Sequence, residues 1–148
     1  MKEIVDEVVH VHQLQASTKK ISIKHEMEES FSVFADKDMV TLVLRNLLSN
    51  AIKFTPDKGA IIIRMKKESP YCRISIIDNG IGMDHEALTR IQENNYYSTN
   101  GTAKESGTGL GLMLSKDFLS KNGGALLIES EPGKGSVFSF TVPLAENG

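Results

Sequence analysis

Leu44-Arg45-Asn46-Leu47-Leu48-Ser49-Asn50-Ala51-Ile52-Lys53-Phe54-Thr55-Pro56 is the stretch on which the fold turns. Across Lys37–Phe54, the residues Val40, Val43, Leu44, Leu47, Leu48 and Ala51 recur at steps of three and four, the spacing of one buried stripe on a long helix. Asp36 offers that helix a cap, and Thr55-Pro56-Asp57-Lys58-Gly59 ends it. Proline disfavours helix at the residue before it, and glycine supplies turn freedom. Asn46, Asn50 and Lys53 stand at i, i+4 and i+7. At about 100° per residue they fall within about 60° of one another, roughly opposite the apolar stripe and facing away from the core. An asparagine amide oxygen suits Mg²⁺, which keeps several waters and borrows phosphate oxygens, while a lysine neutralises phosphate charge. The same stripe also reads as a plain solvated face. Two asparagines inside one helix, each about 0.5 kcal/mol poorer than alanine, speak against that.

Working outward, residues 3–16 read as an amphipathic helix with Ile4, Val8, Val11 and Ala16 on one face. A strand is expected at 21–27, where Ile21, Ile23 and His25 alternate with polar residues, and a short one at 31–35. After the long helix, 60–67 and 71–77 read as a hairpin, followed by a helix at 84–93 and a polar stretch at 94–106 with no apolar period, expected to be a mobile lid. A further helix runs to Lys121 and stops at Asn122-Gly123-Gly124. The last element is a hairpin of 125–130 and 136–142. Strands gathered in two hairpins with helices between them predict an α+β fold, a two-layer α/β sandwich in which a mixed sheet of about five strands carries three main helices on one face.

Three further motifs carry possible chemistry. Asp78-Asn79-Gly80-Ile81-Gly82-Met83 follows an apolar strand. A carboxylate there can accept a hydrogen bond from an exocyclic amine of adenine, guanine or another ligand, and the glycines let backbone approach a flat ring. An ordinary turn gives the same pattern. Gly107-Thr108-Gly109-Leu110-Gly111-Leu112 opens a helix, where free amides and the helix dipole favour phosphate. It is neither a Walker loop nor the dinucleotide fingerprint. Gly133-Lys134-Gly135-Ser136 is by itself a good hairpin turn.

The 148 residues suit one domain, 1–148. With 40% hydrophobic and 24% charged residues and a formal net charge of -2, the composition is that of a soluble globular protein and gives no sign of a nucleic-acid partner. Cys72 is the sole cysteine, which excludes an internal disulfide or a cysteine metal site and fits a small buried hydrophobe in a reducing compartment. No apolar run reaches membrane-spanning length, and the first residues lack the apolar core of a signal peptide.

In their order and spacing the four motifs together resemble the boxes of the GHKL ATPase superfamily, most closely the catalytic and ATP-binding (HATPase_c) domain of histidine kinases. The resemblance runs from about Val5 to Pro143 and implies the Bergerat ATP-binding fold with ATP and Mg²⁺ as ligands. It implies that Asn50 ligates magnesium, that Asn46 and Lys53 contact phosphate or the metal shell and form the catalytic pair, and that Asp78 reads adenine. Phe54 then flanks the base, and Gly80, Gly82 and Met83 shape its pocket. Gly107, Thr108, Gly109, Leu110, Gly111 and Leu112 form the phosphate loop, Tyr97 belongs to the lid that runs to Ser106, and Ser136 belongs to a further glycine box.

Two departures from the family pattern stand out. Ile91 occupies a place where the family often has phenylalanine ahead of the lid. The phosphoacceptor box is also missing: His25-Glu26 falls in a strand, His85-Glu86 directly follows a glycine box, and His10 and His12 lack the acidic neighbour. All four histidines are expected to be structural or surface residues. In the superfamily's hydrolases a glutamate one helical turn before the metal asparagine activates water. Here that place holds Asn46, whose amide is no general base. The implied activity is phosphoryl transfer to a histidine on a separate dimerisation domain of a parent two-component sensor kinase, with a response regulator served indirectly. A cytoplasmic, monomeric fragment is expected, with the parent's membrane anchoring left open. A GHKL-type ATPase and a non-catalytic nucleotide-binding interaction module remain the alternatives.

Overall fold

The computed structural model describes residues 2–27, 32–82, 86 and 110–145. Within these, the elements run α1 (Lys2–Thr18), β1 (Ser22–Met27), α2 (Lys37–Phe54), β2 (Ala60–Glu68), β3 (Tyr71–Asp78), α3 (Leu110–Lys121), β4 (Ala125–Glu131) and β5 (Gly135–Pro143). One five-stranded sheet has the order β1-β2-β3-β5-β4. β1 and β2 are parallel, joined through α2, while the other neighbours are antiparallel. Of the expected 84–93 helix only Glu86 is described, as helical, and the 94–106 lid lies outside the described residues.

The register explains why this sheet has one dry face. Ile63 pairs with Ile76, Ile76 with Phe138 and Phe138 with Ile128, making one apolar row across four strands. Met65, Ile74, Phe140 and Leu126 make the next. Because side chains alternate along a strand, these rows share one face, and the three helices close over it. Val40, Val43, Leu44, Leu47, Leu48, Ala51 and Ile52 of α2 are all buried in the same core. At roughly 1.5–3 kcal/mol for each fully buried large apolar side chain, this helix is held mainly by packing.

The helix ends follow their sequence signals. Asp36 caps α2, its Oδ1 accepting from the amides of Asp38 at 2.9 Å and Met39 at 3.1 Å. α1 ends in a Schellman motif, with Ile21 N donating to Ala16 O, Lys20 N to Ser17 O, and Lys20 in the left-handed region at φ 55. α3 stops the same way around Gly123 at φ 76.

Two expectations are corrected. Val11 is 55% exposed, and α1 instead buries Ile4, Val5, Val8, Val9, His12 and Ala16. The buried face centres near His12, about 100° around the helix from Val11. His12 is buried with its Nδ1 donating to Val8 O at 2.9 Å, one turn back along its own helix. The strand expected at 31–35 is a single bridge, Val33 to Leu144.

Candidate functional site

The last four carbonyls of a helix have no partner within it, and at the end of α2 each one is met from outside the helix's own ladder. Thr55 Oγ1 donates to Ala51 O at 2.7 Å. Lys19 Nζ donates to Ile52 O at 2.9 Å and to Lys53 O at 3.1 Å. Ile81 N donates to Phe54 O at 3.2 Å. The end of α2 is thereby tied both to the end of α1 and to the glycine loop after β3.

That loop starts at Asp78, the last residue of β3, which is 5% exposed. Its Oδ1 accepts from Gly80 N at 2.9 Å and from Ser136 N at 3.2 Å. Burial raises the Asp78 pKa above the ordinary 3.8, and the two amide hydrogen bonds pull it down without overcoming burial. Both bonds fall on one oxygen, so Oδ2 is the oxygen available to a ligand. Asn79 turns the other way, its Oδ1 accepting from Ala60 N at 2.8 Å, and so stitches the loop to the start of β2.

The glycines of the loop are required by close approach. A Cβ on Gly80 would overlap Phe54 O, and one on Gly82, at φ +71, would overlap Glu131 O. Gly133 N donates to Ile81 O at 2.8 Å, so the β4–β5 turn closes the loop's far side. Gly135, at φ +107, packs its α-carbon against the Asp78 main chain, where any Cβ would overlap Asp78 O. The Gly133–Ser136 box is therefore part of the same site. Ser136 contributes its amide to Asp78 and its hydroxyl to Ser130 Oγ at 2.7 Å.

The polar stripe of α2 is less solvated than expected. Asn46 and Asn50 are half-buried, and Lys53 is 7% exposed, its Nζ 4.9 Å from the centre of the Phe54 ring. Asn46 meets α3, which packs beside α2, its Nδ2 donating to the buried Ser115 Oγ at 3.3 Å. The stripe is centred about 120° around the helix from the apolar one, not opposite it, with Asn50 about 20° from Val43. Leu110, Gly111 and Leu112 form the first turn of α3. Met83, Tyr97, Gly107, Thr108 and Gly109 lie outside the described residues.

Lys19, Asn79, Ser115 and Ser130 join the site's framework without standing among the site residues expected from sequence. Ser115 had a signal, since it lies one helical turn before the buried Leu119 and so on the covered face of α3. Lys19 and Ser130 had none, because their partners are 33 and 5 residues away across turns.

The donor set fits a bound Mg-nucleotide. Among the described residues no group of three or more His, Cys, Asp or Glu is placed to hold a metal. An asparagine amide oxygen on the α2 stripe, together with phosphate oxygens and water, is a donor set that suits Mg²⁺. A buried carboxylate with one oxygen pinned suits an exocyclic amine donor.

The family model described as histidine kinase-, DNA gyrase B-, and HSP90-like ATPase matches residues 35–146. Sporulation kinase E of Bacillus subtilis is 33% identical over 147 residues, which are 98% of this chain and 19% of that protein. The nucleotide-free catalytic domain of histidine kinase ThkA matches with TM-score 0.82 at 28% identity, over 97% of this chain and 91% of that one. Full-length ShkA in complex with AMPPNP matches with TM-score 0.81 at 27% identity, over 97% of this chain and 30% of that one. The chain therefore spans a minor part of sporulation kinase E and of ShkA. Among the described residues no helix is long and apolar enough to cross a membrane.

Proposed function

The chain belongs to the family of histidine kinase-, DNA gyrase B-, and HSP90-like ATPases, and on that premise we propose that it is the ATP-binding catalytic domain of a sensor histidine kinase in a two-component system. It binds Mg-ATP and transfers the γ-phosphate to a histidine on a separate dimerisation domain, acting as a cytoplasmic monomer between visits to that partner. The observation that carries the reading is the buried Asp78 carboxylate, pinned through Oδ1 by the Gly80 and Ser136 amides beside the end of α2.

In this reading Asp78 Oδ2 accepts the exocyclic amine of adenine, Phe54 flanks the ring, and Gly80, Gly82 and Met83 shape its pocket. Asn46 and Lys53 face the phosphates, and Asn50 holds Mg²⁺. The loop from Gly107 to Gly111 and the start of α3 offer amides to the triphosphate, with Tyr97 in the lid above it. Mg²⁺, when bound, neutralises charge on the β- and γ-phosphates. The partner's imidazole nitrogen forms the new bond to γ-phosphorus while the bond to the β,γ-bridging oxygen breaks and ADP leaves. Transfer of this kind needs positioning and charge neutralisation more than a general base. Asn46, whose amide donates to Ser115, cannot activate water as a glutamate would, which favours the kinase over the hydrolase.

The test is incubation with γ-labelled ATP, with and without a supplied dimerisation domain. The dimerisation domain should become labelled and the chain alone should not. Label on the chain itself, or steady phosphate release without a partner, would overturn the assignment.

A further inference from the structure

Lys19 is 5% exposed. A lysine commonly lays its stem on apolar surface and keeps its ammonium in water. Here the ammonium is inside, donating to the carbonyls of Ile52 and Lys53 at the end of α2. Its own backbone is fixed as well. It is the C-cap residue of α1 within the Schellman turn, and its carbonyl accepts from Lys58 N at 2.9 Å in the loop that leaves α2. One residue thus clamps the end of α2 from two sides, through Nζ and through its carbonyl.

What it clamps is the wall of the nucleotide site. The carbonyls that Lys19 holds belong to the residue before Lys53 and to Lys53 itself. The next carbonyl, Phe54 O, accepts from Ile81 N, and Gly80 packs against it so closely that a Cβ would overlap it. In a close-packed contact of this kind a small shift on one side is passed to the other. Movement of the last turn of α2 would carry Lys53 and Phe54, displace Gly80 and Ile81, and disturb Gly80 N where it pins Asp78.

We propose that Lys19 is a positioning residue for the nucleotide site, holding the last turn of α2 in register with the Asp78 loop and coupling the end of α1 to nucleotide occupancy. The proposal rests on the nucleotide-binding reading above. Coupling between sites is reciprocal, so bound nucleotide should steady the Lys19 clamp just as the clamp steadies the pocket.

The experiment compares the wild-type chain with Lys19→Met, which keeps the stem and removes the donors, by calorimetric titration with Mg-ADP and Mg-ATP and by amide hydrogen exchange. Folded Lys19→Met should bind both nucleotides about tenfold more weakly, the size expected of a coupling residue off the ligand. Its Ile81 amide should exchange faster while the amides of central β3 keep their protection. A folded variant with wild-type affinity, even one of lower melting temperature, would overturn the proposal and leave the nucleotide-binding reading intact. Should Lys19→Met not fold, the wild-type protein decides the matter. Saturating Mg-ADP should slow exchange of the Lys58 and Ile21 amides, and no change there would overturn the proposal. A wild-type chain that takes up no nucleotide overturns the proposal together with the reading beneath it.

Discussion

Asp78 and Ser136, 58 residues apart, are joined by a hydrogen bond from the Ser136 amide to the Asp78 carboxylate at 3.2 Å. The bond links the end of β3 to the start of β5 and turns a strand-end aspartate into an oriented acceptor. Burial raises its pKa above 3.8, so the folded state holds this proton more tightly than the unfolded chain does. The ionised form therefore lowers stability as pH rises through the folded pKa, and the penalty vanishes below 3.8. Asp78→Asn at pH 7 should melt at or above the wild-type temperature, because its amide oxygen still accepts both N–H groups. Nucleotide affinity should nevertheless fall by about tenfold or more. A steep loss of melting temperature with unchanged affinity would contradict both halves.

Gly133 and Gly135 sit two residues apart in one turn, and the structure separates their roles. Gly133→Ala meets no atom within 4 Å and carries only the strain of φ +79, about 1–2 kcal/mol. Gly135→Ala would also drive a Cβ into Asp78 O, which should cost more than about 3 kcal/mol and abolish nucleotide binding. Urea denaturation of the two variants gives the comparison. Equal losses would mean that Gly135 does not support Asp78.

For Asn50 the expected signature is a metal dependence. Asn50→Ala should weaken ATP binding strongly in the presence of magnesium and little in its absence. Titrations with and without a chelator make the measurement, and equal weakening in both would remove Asn50 from the metal site.

Cys72 is fully buried in β3, and burial pushes its pKa up to about 12. Only the thiolate reacts quickly, so a thiol reagent at pH 8 should leave the native chain unmodified and label it on unfolding. Labelling of the folded protein at the rate of a free thiol would show that β3 opens locally.

The fold was legible wherever one periodicity ruled. α2 runs over the Lys37–Phe54 span that its stripe predicted, under the Asp36 cap, and both hairpins formed within a residue or two of their expected bounds. Reading failed where a polar residue finds its partner in space or within its own helix turn. His12 looked unsuited to a core until its bond to Val8 O is seen, so Val11 took its place on the expected face. Asn46, Asn50 and Lys53 were read as facing away from the core, yet Lys53 is buried and the two asparagines are half-buried. The four boxes were visible as motifs. What sequence could not supply was the knitting between them: Lys19 to α2, Gly135 to Asp78, and Ser115 to Asn46.

The most direct test of the account is calorimetric titration of the folded chain with ADP and with ATP in the presence of magnesium, up to millimolar nucleotide. The account predicts saturable uptake of both, weakened by Asp78→Asn. A folded chain that takes up neither nucleotide at millimolar concentration would contradict it.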